Sequence, residues 1–360
     1  MNKKMKLGIL TGGGDCPGMN AVIRAIAKKA LLEYDVEVIG IEDGYDGLIN
    51  NRYRKLDFNN VSGIVTLGGT ILGTSNKANP YSYAVKRGNE LVREDVSAKT
   101  IANVQRLGLD YLVCIGGDGT LIIGHRLFKD GVPVVGVPKT IDNDVIGTDI
   151  TFGFDSAVHV ASEGIERIRT TAQSHHRVMI VEVMGRNAGW IALHAGIASG
   201  ADIVLIPEIT YDLNIIAEKI RMRHQKGRRY TIVVVAEGVK IKTDVDSIPA
   251  SIRSDSIGFA LRAQIEEVTG IETRAVVMGH LQRGGIPTAF DRVLATRLGI
   301  KAVDIISKGE IGYMAAVKGD SMGEVPLDIV AQGQRLIASD DPLIQVARSV
   351  GTCFGDQVCE

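Results

Sequence analysis

Short, continuous apolar runs rich in β-branched residues recur along the chain: "KLGIL", "VEVIGI", "YLVCIG", "VPVVGV", "RVMIVEV", "DIVLIP", "YTIVVVAEG" and "RAVVMG". Runs of this length with no polar alternation predict strands buried on both faces of a sheet. Between them, apolar residues at helical spacing predict helices over residues 19–33, 159–172, 213–226 and 256–268. Strand and helix alternating from end to end predict an α/β fold with mostly parallel sheets. The change after Gly147 to a second series of strand–helix units predicts two similar α/β domains, each with its ligand site at the carboxyl ends of its strands.

Composition narrows this only a little. The 360 residues suffice for about two domains, and 45% hydrophobic with 23% charged residues is an ordinary soluble composition. A net charge of -1 argues against nucleic-acid or membrane binding driven by overall charge, so any anion site must be local. The basic, then apolar start "MNKKMKLGIL" gives way to glycines and Asp15, too early for a signal peptide or spanning helix, and a cytoplasmic location is expected. Four cysteines, Cys16, Cys114, Cys353 and Cys359, show no CxxC spacing, which fits reduced thiols, with Cys114 packing in a strand.

The chemistry gathers where strands end. In "GILTGGGDCPGMNAVIRAI" a glycine cluster lies between the first strand and a long helix, an arrangement that lets backbone N–H groups and a helix amino end meet an anion. It matches neither GxGxxG nor the P-loop, so a tight turn without a ligand stays open. "VCIGGDGTLIIG" repeats the arrangement with Gly116, Gly117, Asp118, Gly119 and Thr120. An aspartate among phosphate-binding glycines makes electrostatic sense when magnesium bridges it to the phosphate; a helix-capping Asp is the alternative. "PKTIDNDV" then crowds Thr140, Asp142 and Asp144 into one stretch, and in extended chain these three share one face while Lys139 and Asn143 share the other. Two close carboxylates point to a cation site, a general base, or a solvated Asp-rich turn. A calcium loop is excluded, because Ile146 and Gly153 fall where it needs oxygen ligands. Further on, Arg177 and Arg186 bracket one strand, Arg274, His280 and Arg283 another, and Glu237 ends a third. Arginines repeated at strand ends suit an anionic substrate.

Taken together, "TGGGDCPGMNAVIR", "GGDGT", "PKTIDND", "VEVMGR" and "MGHLQRGG", in this order between residues 11 and 285, resemble 6-phosphofructokinases of the bacterial type. The resemblance implies a phosphofructokinase fold of two Rossmann-like domains: an ATP-binding one over 1–152 plus about 282–333, and a fructose 6-phosphate-binding one over about 153–281 plus 334–360. It implies transfer of phosphate from MgATP to the 1-hydroxyl of fructose 6-phosphate. Gly14, Gly117, Asp118, Gly119 and Thr120 would meet the nucleotide, and Asp118 and Asp144 would hold Mg2+. Asp142 would be the base, with Thr140, Arg186 and Gly14 also in the catalytic set. Thr140, Asp142, Asp144, Met184, Gly185, Arg186, Glu237, His280 and Arg283 would contact the sugar phosphate. By the same resemblance Arg177 and Arg274 would reach a neighbouring subunit's site, implying a homo-oligomer, usually a tetramer.

Two departures bear on the donor. Pyrophosphate-dependent relatives usually carry an acidic residue where this chain has Gly119, and a lysine where it has Lys139. Gly119 leaves room for the rest of ATP and outweighs Lys139, so ATP is the expected donor and pyrophosphate the alternative. Asn76 and Lys77 stand near the place of an arginine common in the ATP enzymes, and Lys77 would supply a point charge without the planar fork. Arg24, Lys28, Arg52, Arg169 and Arg228 fall near an effector phosphate site of regulated relatives, and exposed surface cations are the alternative. A different GGDG-type kinase or a non-catalytic nucleotide-binding subunit would leave "MGHLQRGG" or the Asp142–Asp144 pair unexplained.

Overall fold

The apolar runs become strands because each places its side chains in a core: Val134, Val135 and Val137, for example, are fully buried, each contributing roughly 1.5–3 kcal/mol on burial. A computed structural model describes residues 4–88, 90–240 and 256–358. In chain order its strands are β1 (Met5–Thr11), β2 (Val36–Ile41), β3 (Tyr53–Leu56), β4 (Tyr83–Arg87), β5 (Glu90–Glu94), β6 (Tyr111–Gly116), β7 (Val134–Thr140) and β8 (Phe152–Gly153), then β9 (Val178–Val183), β10 (Ile203–Leu205), β11 (Thr231–Ala236), β12 (Thr273–Val277), β13 (Tyr313–Lys318) and β14 (Ser321–Pro326). The helices are α1 (Met19–Glu33), α2 (Tyr45–Asn50), α3 (Ser97–Leu107), α4 (Asp118–Lys129), α5 (Phe154–His175), α6 (Trp190–Ala198), α7 (Leu213–Gln225), α8 (Ile257–Thr269), α9 (Ala289–Ser307), α10 (Leu327–Val330) and α11 (Pro342–Ser349). The helix expected at 159–172 is longer at both ends. The other three expected helices agree to within one residue at each end. Cys359 lies outside the described residues.

The chain forms two compact units, Met1–Asp155 with Arg283–Gln334 and Ser156–Gln282 with Arg335–Glu360. The first holds an eight-stranded sheet in the order β14-β13-β7-β6-β1-β2-β3, with β8 paired to β7. Its inner strands β7, β6, β1 and β2 run parallel, and β3 and β14 are antiparallel edges. From β1 the chain first moves outward to β2 and β3, then returns to place β6 on the other side of β1. That reversal opens a crevice at the carboxyl ends of β1 and β6, where open α/β sheets bind ligands. Helices α1 and α9 pack closely, since a methyl at Gly299 would come within 2.9 Å of the Ala25 Cβ, and Lys29 pairs with Asp304 at 3.0 Å. The second unit carries a four-stranded parallel sheet in the order β10-β11-β9-β12. The described cysteines, Cys16, Cys114 and Cys353, are buried. Among the described residues no helix is long and apolar enough to cross a membrane.

Candidate functional site

Both glycine clusters emerge at the crevice of the first unit. The backbone ladder runs on past β1, with the Gly12 N–H donating to the Ile115 carbonyl at 2.9 Å, so residues 12–14 and 116–119 lie side by side. Thr120 packs between them. A methyl at Gly12 would come within 2.6 Å of its Oγ1, and one at Gly116 would collide with its Cβ, so neither loop admits a side chain there. Thr120 is 5% exposed; its carbonyl accepts a hydrogen bond from the Tyr45 hydroxyl at 2.8 Å. Gly117 caps α4, and Asp118 is that helix's first residue, where the helix dipole favours negative charge. A methyl at Gly119 would meet nothing within 4 Å.

Lys139 lies beneath the first loop. It is 3% exposed, its ammonium donates to the Gly14 carbonyl, and burial pushes its pKa below the usual lysine range. Arg283 approaches the same loop, donating from Nη1 to the Asp15 carbonyl at 3.2 Å, and a methyl at Gly14 would come within 2.7 Å of that nitrogen. Cys16 follows in the loop, and burial raises its thiol to about 12. Residues 73–75 back the loop: the Thr74 hydroxyl donates to the Gly13 carbonyl at 2.6 Å, and the Gly13 N–H to the Ser75 carbonyl at 3.1 Å. Asn76 and Lys77 are exposed on that backing segment.

The solvated-turn reading of "PKTIDNDV" is excluded. Thr140, Asp142, Asn143 and Asp144 are exposed by 8%, 3%, 4% and 2%. The expected alternation of faces also fails beyond Thr140, where β7 ends and Asn143 takes a left-handed conformation with φ 54°. The reason is local hydrogen bonding. The Asp142 N–H donates to Thr140 Oγ1 at 3.0 Å, and Asn143 Oδ1 accepts from the Thr151 N–H at 3.0 Å, closing a turn in place of a strand. The turn brings Asp144 to Asp118: Gln334 Nε2 donates to Asp144 Oδ2 at 2.9 Å and to Asp118 Oδ2 at 3.1 Å. Two carboxylate oxygens on one nitrogen form a hard-oxygen donor set. No group of three or more His, Cys, Asp or Glu residues able to hold an ion occurs among the described residues. Magnesium needs no such cage, because it is commonly held by one or two carboxylates plus substrate phosphates, and the pair fits it.

In the second unit the strand ends gather another set. After β9, Met184 and Gly185 are buried and Arg186 is exposed, with Arg186 at φ 52°. Glu237, after β11, holds this bend: its Oε1 accepts the N–H groups of Gly185 and Arg186 at 3.3 and 2.9 Å. Gln282, fully buried, accepts the Met184 N–H at 2.8 Å. Glu208 accepts the Gly189 N–H at 3.0 Å and the Ile337 N–H at 3.1 Å. His280 is exposed after β12. Arg177 and Arg274 converge on Glu272, Arg177 Nε at 2.7 Å from one carboxylate oxygen and Arg274 ion-paired to the other; the hydrogen bond from Arg177 holds the Glu272 carboxyl below its usual range. Sequence reading passed over Gln282, Glu208, Glu272 and Gln334. Gln282 alone carried a signal, lying between His280 and Arg283.

The sequence pattern of the family described as Phosphofructokinase matches residues 6–306. The chain belongs to the phosphofructokinase family. It is 48% identical over 360 residues to a protein of Clostridium perfringens named ATP-dependent 6-phosphofructokinase 2, covering 98% of both chains. With a Bacteroides thetaiotaomicron protein named ATP-dependent 6-phosphofructokinase 3 it shares 47% identity over 351 residues, 98% of this chain and 100% of that one. Among solved structures, the phosphofructokinase of Pichia pastoris in the T-state superposes with a TM-score of 0.79 at 31% identity; the match takes in 97% of this chain and 37% of that longer one. A pyrophosphate-dependent phosphofructokinase from Marinobacter aquaeolei, at 21% identity and a TM-score of 0.77, shares the fold. The glycine loops, the buried Asp142–Asp144 turn and the strand-end arginines are therefore set in a phosphofructokinase scaffold.

Proposed function

We propose that this phosphofructokinase transfers the γ-phosphoryl group of MgATP to the 1-hydroxyl of fructose 6-phosphate, releasing fructose 1,6-bisphosphate and ADP. One observation carries the reading: two glycine loops at the β1/β6 crevice lie in the same unit as a buried turn holding Asp142 and the Asp118–Asp144 pair. Full-length relatives named ATP-dependent 6-phosphofructokinase support it.

The loops at Gly12–Gly14 and Gly116–Gly119 offer backbone N–H groups to the nucleotide phosphates, and the amino end of α4 adds its partial positive charge. Open space at Gly119 favours ATP over pyrophosphate as donor. Lys139, buried against Gly14, supplies charge beside the loop for either donor. Asp118 and Asp144 would hold Mg2+, which neutralises phosphate charge when bound. Asp142 takes the proton from the 1-hydroxyl as that oxygen bonds to the γ-phosphorus; the bond from phosphorus to the ADP oxygen breaks, and ADP leaves with the electron pair. Thr140 keeps Asp142 in place through its backbone N–H. Such a reaction asks the protein mainly for alignment and charge neutralisation.

The residues proposed to bind the sugar phosphate are Met184, Gly185 and Arg186 on the bend braced by Glu237, with His280 and Arg283. Arg177 and Arg274, gathered on Glu272, grip the 6-phosphate of a neighbouring copy's substrate, so the active form is a homo-oligomer, acting in the cytoplasm. The test is product formation from fructose 6-phosphate and Mg2+ with ATP or with pyrophosphate. Fructose 1,6-bisphosphate from ATP at a kcat/KM at least tenfold above that with pyrophosphate is expected; the reverse ratio overturns the donor assignment, and no product with either overturns the reaction.

A further inference from the structure

Gln334 reaches the metal-binding carboxylates from a distant part of the chain. It is the last residue of the first unit, and its backbone forms an antiparallel bridge with Val145, the neighbour of Asp144. That bridge aims its side chain over the turn, where Nε2 serves Asp144 at 2.9 Å and Asp118 at 3.1 Å. Two like charges drawn together repel, and the two protons of one amide nitrogen offset this by taking one carboxylate each. A lysine there would compete with a cation through a permanent charge. An amide does not, and rotated about its last bond it presents Oε1, a hard oxygen ligand, where Nε2 now lies.

We propose that Gln334 is a positioning residue of the metal site: its amide N–H groups hold Asp118 and Asp144 together when no ion is present, and its carbonyl oxygen turns to the ion, or to a water on it, when magnesium arrives with the nucleotide. The inference rests on the reading of Asp118 and Asp144 as the magnesium pair.

Thermal unfolding and Mn2+ binding, the latter by electron paramagnetic resonance with ADP present, test it on the wild type, Gln334→Leu, Gln334→Glu and Asp118→Asn. In EDTA, Gln334→Leu is expected to lower Tm by roughly 2–4 °C, and excess Mn2+ to restore most of that loss because the cation replaces the amide. Its Mn2+ dissociation constant rises about tenfold. Gln334→Glu, which adds a third carboxylate, loses more Tm in EDTA and regains more with Mn2+. An equal Tm loss with and without Mn2+, or unchanged Mn2+ affinity in Gln334→Leu, reduces Gln334 to a packing residue and overturns the proposal. If Asp118→Asn abolishes Mn2+ binding while Gln334→Leu leaves it intact, only the role of Gln334 falls. If the wild type itself neither binds Mn2+ nor gains stability from it, the metal pair falls, and Gln334 with it.

Discussion

Replacing Gly119 by Asp isolates the electrostatic part of donor choice. Gly119 is the second residue of α4, exposed, with nothing within 4 Å of an added Cβ. The substitution therefore costs no packing, and an acidic residue in a helix's first turn stabilises it by about 0.3–1 kcal/mol. What changes is charge beside the second glycine loop. Two unit charges roughly 7 Å apart at an effective dielectric of about 20 interact by about 2.4 kcal/mol, and exposure to salt brings that to about 1–1.4 kcal/mol. The KM for ATP should then rise roughly five- to tenfold, with Tm unchanged or slightly higher. The assay is coupled product formation at varied ATP, repeated at about 0.5 M salt, where the penalty should shrink. Gly119→Asn, similar in size and neutral, is the control. If Asn raises KM as much as Asp, or Asp leaves it unchanged, the charge argument is wrong.

Three other outcomes follow from the same geometry. Gln282→Leu leaves the Met184 N–H without the acceptor it has at 2.8 Å, so stability should fall by about 1–3 kcal/mol and the KM for fructose 6-phosphate rise while that for ATP stays within about twofold; denaturant melts and steady-state kinetics read both, and a rise in both KM values would contradict a local role in the second unit. Arg177→Ala and Arg274→Ala should each raise the KM for fructose 6-phosphate about 10- to 100-fold, the worth of one charge-assisted hydrogen bond, and a change under twofold in either would remove that arginine from the site. Cys16 and Cys114 are fully buried, and burial raises both thiols to about 12. The thiolate fraction at pH 8 is then about 1 in 10⁴, so iodoacetamide should leave both unmodified by peptide mass spectrometry until urea unfolds the chain; labelling of native Cys16 would show the loop opening to solvent.

The strand ends were legible in sequence because local signals mark them. Apolar runs gave β1, β6, β7, β9, β11 and β12, and glycines or clustered polar residues just after them gave the loops. What local pattern could not give is how the chain turns once a strand stops. "PKTIDNDV" reads as extended chain by alternation, and it is the Asn143–Thr151 and Thr140–Asp142 hydrogen bonds that bend it. Gln334, 190 residues from Asp144, carries no periodic or compositional mark, since an isolated glutamine reads as surface, and Gln282, 98 residues from Met184, is marked only by its place between His280 and Arg283. Glu272 likewise looks like an ordinary acidic residue until the pairing of β9 with β12 brings Arg177 onto it, beside its sequence neighbour Arg274.

The central claim is that Asp142 removes the proton from the attacking hydroxyl. Single-turnover transfer in Asp142→Asn, by rapid quench with γ-labelled ATP at saturating fructose 6-phosphate, tests it most directly. The neutral side chain keeps the shape of the buried turn and leaves the backbone bond to Thr140 Oγ1 in place, so both substrates should still bind. The rate of phosphoryl transfer should fall by about 10²–10⁴, equivalent to about 2.7–5.4 kcal/mol in the barrier. A rate within about threefold of wild type would mean that Asp142 does not take the proton.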